Sequence, residues 1–362
     1  MKSYCLESIS LEEAKEKQFS LVDTITEVFE GDQFLQLGEL GVCSPYNEPL
    51  TTYKVEEVLA KYFHAEKAAL VSGAGTGAIR WSILALCKSN DTILVHKAPI
   101  YPTTKATVES MNLNVVYADF NNITELNKVL NTTEITAALV QYTRQQPQDC
   151  YDYKAIIEII NAKHIPVITD DNYAVMKVKG IGVEYGAAVS CFSSFKLLGP
   201  ENVGVVIGSA VVIDYIKKMN YSGGSKIQGH QAMEALRGLV YAPVSLAIQA
   251  EENEKLVNIL NSNLIREVKQ AFLANAQSKV LLVEFNKPIA KQVLEEAQKL
   301  GAASHPVGAE SKYEIVPMFY RISGTFIQAD PALKDRMIRI NPMRAGADTV
   351  LRILKKSIER VR

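Results

Sequence analysis

From about residue 54 short apolar runs alternate with segments whose apolar residues recur at helical spacing. YKVEEVLAKYF places Val55, Val58, Leu59 and Tyr62 on one helical face. KAALVS then reads as a strand, and a helix follows from Thr76 to about Cys87. The same alternation predicts strands at DTILVH, NVVYADF, ITAALVQY and IPVITD, and helices at TTKATVESM, ITELNKVLN and YKAIIEIINAK. These strands are apolar on both faces, as strands buried in a parallel sheet are. The pattern predicts an α/β fold with a mostly parallel, doubly wound sheet. AAVSCFS and VGVVIG add two strands with no long helix between them, which predicts an antiparallel part of the sheet.

After residue 225 the pattern turns mostly helical through QAMEALRGLVYAPVSLAIQAEENEKLVNILN, with a kink or break expected at Pro243. A strand at KVLLVEF, a helix at AKQVLEEAQKL, strands near EIVPMFYRI and IRINP, and a last helix at ADTVLRILKKSIERV predict a smaller α+β unit. The expected plan is an N-terminal arm or small-domain segment over residues 1–53, a large α/β domain over 54–245 and a small α+β domain over 246–362.

Composition narrows the function. In 362 residues, 48% of them hydrophobic, acids and bases nearly balance at a net charge of −1. No basic block or acidic tail suggests a nucleic-acid or anionic-membrane partner. The N-terminal MKSYCLESISLEEAKEKQ meets acidic residues before any apolar stretch, which argues against a secretory signal. No apolar run approaches the roughly 20 residues that span a bilayer. Five scattered cysteines, at 5, 43, 87, 150 and 191, fit reduced thiols in a cytoplasmic protein better than a disulfide framework. The five histidines are isolated, and no metal site is expected.

The stretch ALVSGAGTGAIRW is open to three readings. Gly73, Gly75 and Ala78 satisfy G-x-G-x-x-G/A, the dinucleotide-binding turn. That turn also asks for an acid at the end of the next strand. DTILVHKAP ends instead in His96 and Lys97, with Asp91 at the wrong end. Alternatively, Gly75, Thr76 and Gly77 form a phosphate cup, with unpaired amides at a helix start and a hydroxyl donor beside them. An ordinary strand-to-helix turn uses glycine in the same way.

Three other stretches bear on the choice. Lys196 in SSFKLLGPENVG follows an apolar strand among small and apolar residues, an unusual place for a charge. A lysine that merely snorkels from a surface loop is the common alternative. A desolvated lysine with a lowered pKa is instead a nucleophile for a carbonyl, and Ser193 and Ser194 are candidate hydrogen-bond partners for a phosphate. Asp170 and Asp171 in VITDDNYAV stand at the carboxyl edge of a buried strand, where one carboxylate suffices to hold a pyridinium proton. Tyr101 in APIYPTT stands at another strand end, placed either to lie against an aromatic ring or to pack beside Pro102.

Taken in order, GAGTGA, PIYPTT, TDDNYAV and SSFKLLGPENVG resemble the pyridoxal-phosphate enzymes of fold type I, the superfamily of the aspartate aminotransferase and cystathionine synthase/lyase groups. The resemblance runs from about Tyr46 to the end of the chain. TRQQPQD, DDNYAVMKV, NAQSKVL and VGAESKYEI bring it nearest to the bacterial YhfS-like group. It implies pyridoxal 5'-phosphate as cofactor and a role for each matching residue. Gly75, Thr76 and Gly77 match the phosphate cup, and Tyr101 the aromatic stacked on the pyridine. Asp170 matches the carboxylate on the ring nitrogen, although Asp171-Asn172 resembles the D-N pair of the cystathionine group. Tyr173 matches a phenol near the 3-oxygen, and Gln146 stands where many relatives carry an asparagine to that oxygen. Lys196 matches the lysine of the internal aldimine, and Arg339 the arginine that grips the substrate carboxylate. Where transaminases often carry a phosphate-binding arginine, this chain has Gly204. SPYNEPLT resembles a stretch that crosses the dimer interface, which makes Tyr46 a candidate and implies a homodimer with its site near that interface.

The implied activity is aminotransferase-like, on a small-molecule amino acid. The alternatives are a carbon–sulfur or other Cβ/Cγ lyase, racemisation, a nicotinamide-dependent oxidoreductase built on the Gly73–Ala78 turn, and a catalytically silent cofactor-binding protein. VGAESKYEI and RQQPQD are expected to line the pocket.

Overall fold

The computed structural model describes residues 4–143, 146, 148–274, 279–308, 310–322 and 330–361. Two compact units emerge. The larger comprises Glu12–Tyr142 and Cys150–Pro243; the smaller comprises Met1–Leu11, Thr143–Asp149 and Val244–Arg362. Of the stretch 1–53, residues up to Leu11 belong to the smaller unit and the rest to the larger.

The larger unit is built on seven strands: β1 (Lys67–Ser72), β2 (Thr92–His96), β3 (Asn114–Ala118), β4 (Ala137–Gln141), β5 (Val167–Asp170), β6 (Val189–Ser193) and β7 (Val203–Gly208). Their order across the sheet is β1-β7-β6-β5-β4-β2-β3. β2 to β6 run parallel, while β7 is antiparallel to both β6 and β1. The predicted antiparallel part is therefore present, and it includes β1, which periodicity alone did not single out.

Alternate residues of the strands feed two cores, as a period of two requires. Val71, Ile93, Val95, Leu139, Ile168 and Val206 pack with Ala78, Ile79 and Ile83 of α3 (Ala74–Leu86) and with Val212 and Ile216 of α7 (Ala210–Met219). Leu94, Ala138, Val140 and Val167 face the other way, onto Leu126 and Leu130 of α5 (Ile123–Thr132) and Ile156, Ile157 and Ile160 of α6 (Tyr153–Asn161). Helices on both faces explain why these strands read as continuous apolar runs.

The helix α8 (Gly229–Leu260) continues through Pro243, so the expected break does not occur. The smaller unit holds a four-stranded antiparallel sheet in the order β10-β11-β9-β8, made of β8 (Val268–Ala274), β9 (Val280–Phe285), β10 (Met318–Arg321) and β11 (Met337–Asn341). β8 was not legible as a strand: it is an edge strand whose burial alternates imperfectly around a bulge at Val268/Gln270. Leu281, Val283 and Phe285 pack beneath α9 (Ala290–Lys299) and the C-terminal helix Ala347–Val361, whose Val350, Leu354 and Ile358 form the buried stripe.

Candidate active site

The glycine turn sits on the edge strand β1, whose sole neighbour among the described residues is the antiparallel β7. A dinucleotide-binding fold instead places that strand inside a parallel sheet, beside the strand carrying the ribose acid. Here β2 lies at the far side, separated from β1 by four strands. The sheet order thus removes the nicotinamide reading.

What the turn does build is a helix start of the kind that favours an anion. Gly73 (φ 96°) and Ala74 (φ 53°) lie in the left-handed region, and both of their amides donate to the carbonyl oxygen of Asn202, at 2.9 and 3.0 Å. The helical ladder opens with Gly77 N donating to Gly73 O at 2.9 Å. The amides of Gly75 and Thr76 belong to the first turn, which has no intrahelical acceptors, and the helix dipole there favours negative charge. The Thr76 hydroxyl lies 3.1 Å from that of Thr103, in the first turn of α4 (Pro102–Ser110). Close approach requires glycine at 77 and, at 75, leaves room for the Asn172 amide. A Cβ at Gly75 stands 2.6 Å from Asn172 Nδ2, and one at Gly77 stands 2.0 Å from Ser72 O. The same reasoning accounts for Gly204, since a Cβ there meets Ala74 O at 2.1 Å. An arginine does not fit at that position, so the helix start must carry any phosphate without it.

Asp170 and Asp171 diverge. Asp171 is fully buried and accepts from Tyr153 Oη at 2.5 Å and Thr169 Oγ1 at 2.7 Å, with Gly182 N at 3.4 Å. Burial pushes its pKa up to about 6, against the opposing pull of those hydroxyl bonds. Asp170 ends β5 and is also buried, though less completely. Its Oδ1 accepts from the Asn172 backbone at 3.1 Å and Asn172 Nδ2 at 2.7 Å, and its Oδ2 from Gln141 Nε2 at 3.2 Å. Gln141 and Tyr101 line one hollow, together with His96 and Thr104, at the carboxyl ends of β2 and β4. The Tyr101 ring is half exposed there, at 53%.

Lys196 lies on the short turn Ser194–Leu197 after β6, and its amine stands 4.1 Å from the centroid of the Tyr173 ring. Tyr173 adopts a left-handed backbone (φ 66°), a strained conformation for an aromatic residue and one that clusters at functional sites. The amine of the buried Lys177 approaches the same ring at 5.6 Å. Ser193 gives its backbone N–H to Asn172 Oδ1 at 3.0 Å. Ser194 Oγ donates to the carbonyls of Pro200 and Val203, at 3.0 and 2.9 Å, and so closes the loop behind Lys196.

The larger unit therefore brings together Gly75, Thr76, Gly77, Asp170, Tyr173, Ser193 and Lys196, with Tyr101 joined to the set through Gln141. Gln146 and Arg339 belong to the smaller unit. Gln146 N donates to Asp149 Oδ2 at 3.0 Å. Arg144, Gln145 and Pro147 of RQQPQD, Asn275–Ser278 of NAQSKVL and Ala309 of VGAESKYEI lie outside the described residues. Arg339, on β11, donates from Nε to Arg321 O at 2.9 Å, and its guanidinium lies 4.2 Å from the Tyr320 ring centroid. In the same unit Arg344 Nη1 donates to Gln249 Oε1 at 3.1 Å, while its buried Nη2 has no hydrogen-bond partner among the described residues.

Sequence reasoning missed Gln141 and Asn202, and gave Asn172 no role beyond the D-N resemblance. Each holds another site residue, and short-range patterns carry no signal for such partners. Asn172 alone was within reach, through its place directly after the carboxylate pair.

The donor set fits pyridoxal phosphate. Lys196 is an amine for an aldehyde carbon, Asp170 a carboxylate for a pyridine nitrogen, and the start of α3 a cradle for a phosphate. Among the described residues no cluster of three or more histidine, cysteine, aspartate or glutamate side chains is placed to hold a metal ion. On a seven-stranded, mostly parallel sheet with a separate antiparallel unit, this set defines a pyridoxal-phosphate protein of fold type I.

This chain belongs to the family of Cys/Met metabolism PLP-dependent enzymes, whose model matches residues 44–289. Residues 254–354 match the model of the YhfS-like C-terminal domain. The protein YhfS of Escherichia coli (strain K12) is 56% identical over 358 residues, which cover 99% of either chain. The crystal structure of that pyridoxal-5'-phosphate dependent protein matches with a TM-score of 0.98 over 99% of this chain and 100% of its own. Apo CalE6, a methionine gamma lyase from Micromonospora echinospora, shares the fold at 14% identity, with a TM-score of 0.73 over 94% of this chain and 98% of its own.

Proposed function

We propose that this enzyme breaks a side-chain bond at Cβ or Cγ of an amino acid, with Lys196 as the covalent anchor of its cofactor. The observation that carries the reading is the Lys196 amine standing over the Tyr173 ring, three residues after Ser193, whose N–H is tied through Asn172 to Asp170. Membership of the Cys/Met metabolism family favours elimination. Transamination, the first expectation from the motifs, becomes the second reading.

Bound pyridoxal phosphate supplies an electron sink for the bonds at the substrate's α-carbon. The protein's own groups do the rest. Asp170 keeps a proton on the ring nitrogen, because a carboxylate there favours the charged pyridinium. The Lys196 amine would serve as the general base for the α-proton. The amides of Gly75 and Thr76 and the Thr76 hydroxyl hold the phosphate. Tyr101 covers the ring, and Tyr173 and Gln146 serve the 3-oxygen. We assign Ser194 to the loop, because its hydroxyl proton is engaged by two carbonyls.

A panel of cysteine, methionine and cystathionine tests the reaction class. The expected result is ammonia and a 2-keto acid with no added keto-acid acceptor. Turnover only when an acceptor is supplied makes the enzyme an aminotransferase. A cofactor band that no amino acid alters makes it a silent cofactor-binding protein.

Arg339 is our candidate for the substrate carboxylate, through a paired, charge-assisted contact. Its stacking on the buried Tyr320 ring supports a pre-set guanidinium plane. Loss of one partner of a desolvated pair costs roughly 2–5 kcal/mol. Arg339→Ala should therefore weaken amino-acid binding by tens-fold or more and leave cofactor affinity intact. Arg339→Lys should restore little, since a point charge does not copy the planar fork. Unchanged amino-acid affinity moves the clamp to Arg344.

We also propose a cytoplasmic homodimer. The thiols of Cys43, Cys87, Cys150 and Cys191 are free, which suits a reducing compartment. Leu35, Leu37 and Leu40, each 77% exposed, form an apolar run that a second copy would cover. Among the described residues no helix is long and apolar enough to cross a membrane.

A further inference from the structure

The three anchor points assigned to the cofactor meet at one side chain that the proposed chemistry does not use. Asn172 Oδ1 accepts the N–H of Ser193, three residues before Lys196, at 3.0 Å. That bond identifies which end of the amide is oxygen and turns Nδ2 toward Asp170 Oδ1, 2.7 Å away. The same Nδ2 lies 2.6 Å from where a Cβ at Gly75 would stand. The amide is almost fully buried, at 8% exposure, so it has little freedom to turn elsewhere.

We infer that Asn172 is a positioning residue, which fixes the Asp170 carboxylate relative to the Lys196 turn and packs its amide against Gly75. The inference rests on the cofactor reading above. A carboxylate at a strand end has two rotatable side-chain bonds, and its hold on a ring nitrogen depends on where its oxygens are kept. Gln141 steadies Oδ2 from the neighbouring strand, and Asn172 fixes Oδ1. Because Asn172 is itself held by the strand that leads to Lys196, it sets the two polar anchors in register. Its effect on the cofactor therefore passes through Asp170.

A double-mutant cycle separates this role from general support of the fold. Apoprotein is titrated with pyridoxal phosphate, and affinity and absorbance maximum are read for Asn172→Ala, Asp170→Asn and the double variant, with melting temperature as the check on folding. Asn172→Ala should weaken cofactor affinity at least tenfold in the wild-type background and shift the absorbance maximum. Added to Asp170→Asn, it should change affinity less than twofold, since the group it acts through is already altered. Asn172→Ser serves if the alanine variant does not fold. Gly75→Ala, which displaces the amide without removing it, should give the same shift in absorbance. Equal losses in both backgrounds, or wild-type affinity and absorbance in Asn172→Ala and Asn172→Ser, overturn the inference. Borohydride reduction of the wild-type holoenzyme is run alongside. Cofactor fixed to a residue other than Lys196 overturns the underlying reading, whereas label on Lys196 with an additive cycle overturns this inference alone.

Discussion

Lys196→Ala should eliminate the absorbance band of lysine-bound cofactor and lower turnover by about 10³-fold or more, with the fold intact. The loss follows from removing both the covalent anchor and the general base, and a positioned base alone contributes roughly 10²–10⁴ in rate. The fold should survive because the turn is held by groups other than the lysine side chain. Ser194 Oγ bonds the carbonyls of Pro200 and Val203, and Gly199 N donates to Ser194 O at 2.9 Å. Reduction with borohydride followed by peptide mapping locates the attachment. The nearest rival is Lys177, whose amine addresses the same tyrosine ring. Label on Lys177, or an unchanged band in Lys196→Ala, transfers the role to that residue.

Asp170→Asn should lower kcat by about 10²–10³-fold, the size of effect seen when one preorganised electrostatic group is removed from an active site. An amide does not hold a proton on the ring nitrogen as a carboxylate does. Asp171→Asn is the informative contrast. Asp171 is buried against Tyr153, Thr169 and Gly182, so an amide there leaves buried hydroxyls mispaired, at a cost of roughly 1–3 kcal/mol. The expected pair of results is lost turnover with near-normal melting for Asp170→Asn, and lowered melting with residual turnover for Asp171→Asn. The reverse pattern inverts the assignment.

The two carboxylates show where sequence stops informing. VITDDNYAV places both at the end of an apolar strand, and the three-residue spacing from Asp170 to Tyr173 favours the first. Nothing in that string shows that Asp171 turns inward to Tyr153, because Tyr153 lies on a separate helix, α6, which only packing brings beside β5. Asn172 is similar. Its amide is placed by Ser193, from another strand, and its neighbour Gly75 comes from a third region of the chain.

The sequence by itself determined what depends on local periodicity and on residue type. Apolar runs on both faces specify buried parallel strands, and the helical spacing between them specifies the doubly wound class. The glycine turn, the lysine after β6 and the carboxylates after β5 could be found as chemistry. Tertiary structure decided between the readings of the glycine turn. GAGTGA satisfies a dinucleotide fingerprint as letters, yet strand order places it at a sheet edge beside an antiparallel neighbour, and order is a property of long-range pairing. Gly204 looks like a missing arginine until Ala74 O, held 2.1 Å from where its Cβ would stand, removes the room for any side chain. Backbone approach of this kind, between β7 and a turn some 130 residues earlier in the chain, is fixed by packing density in the folded interior.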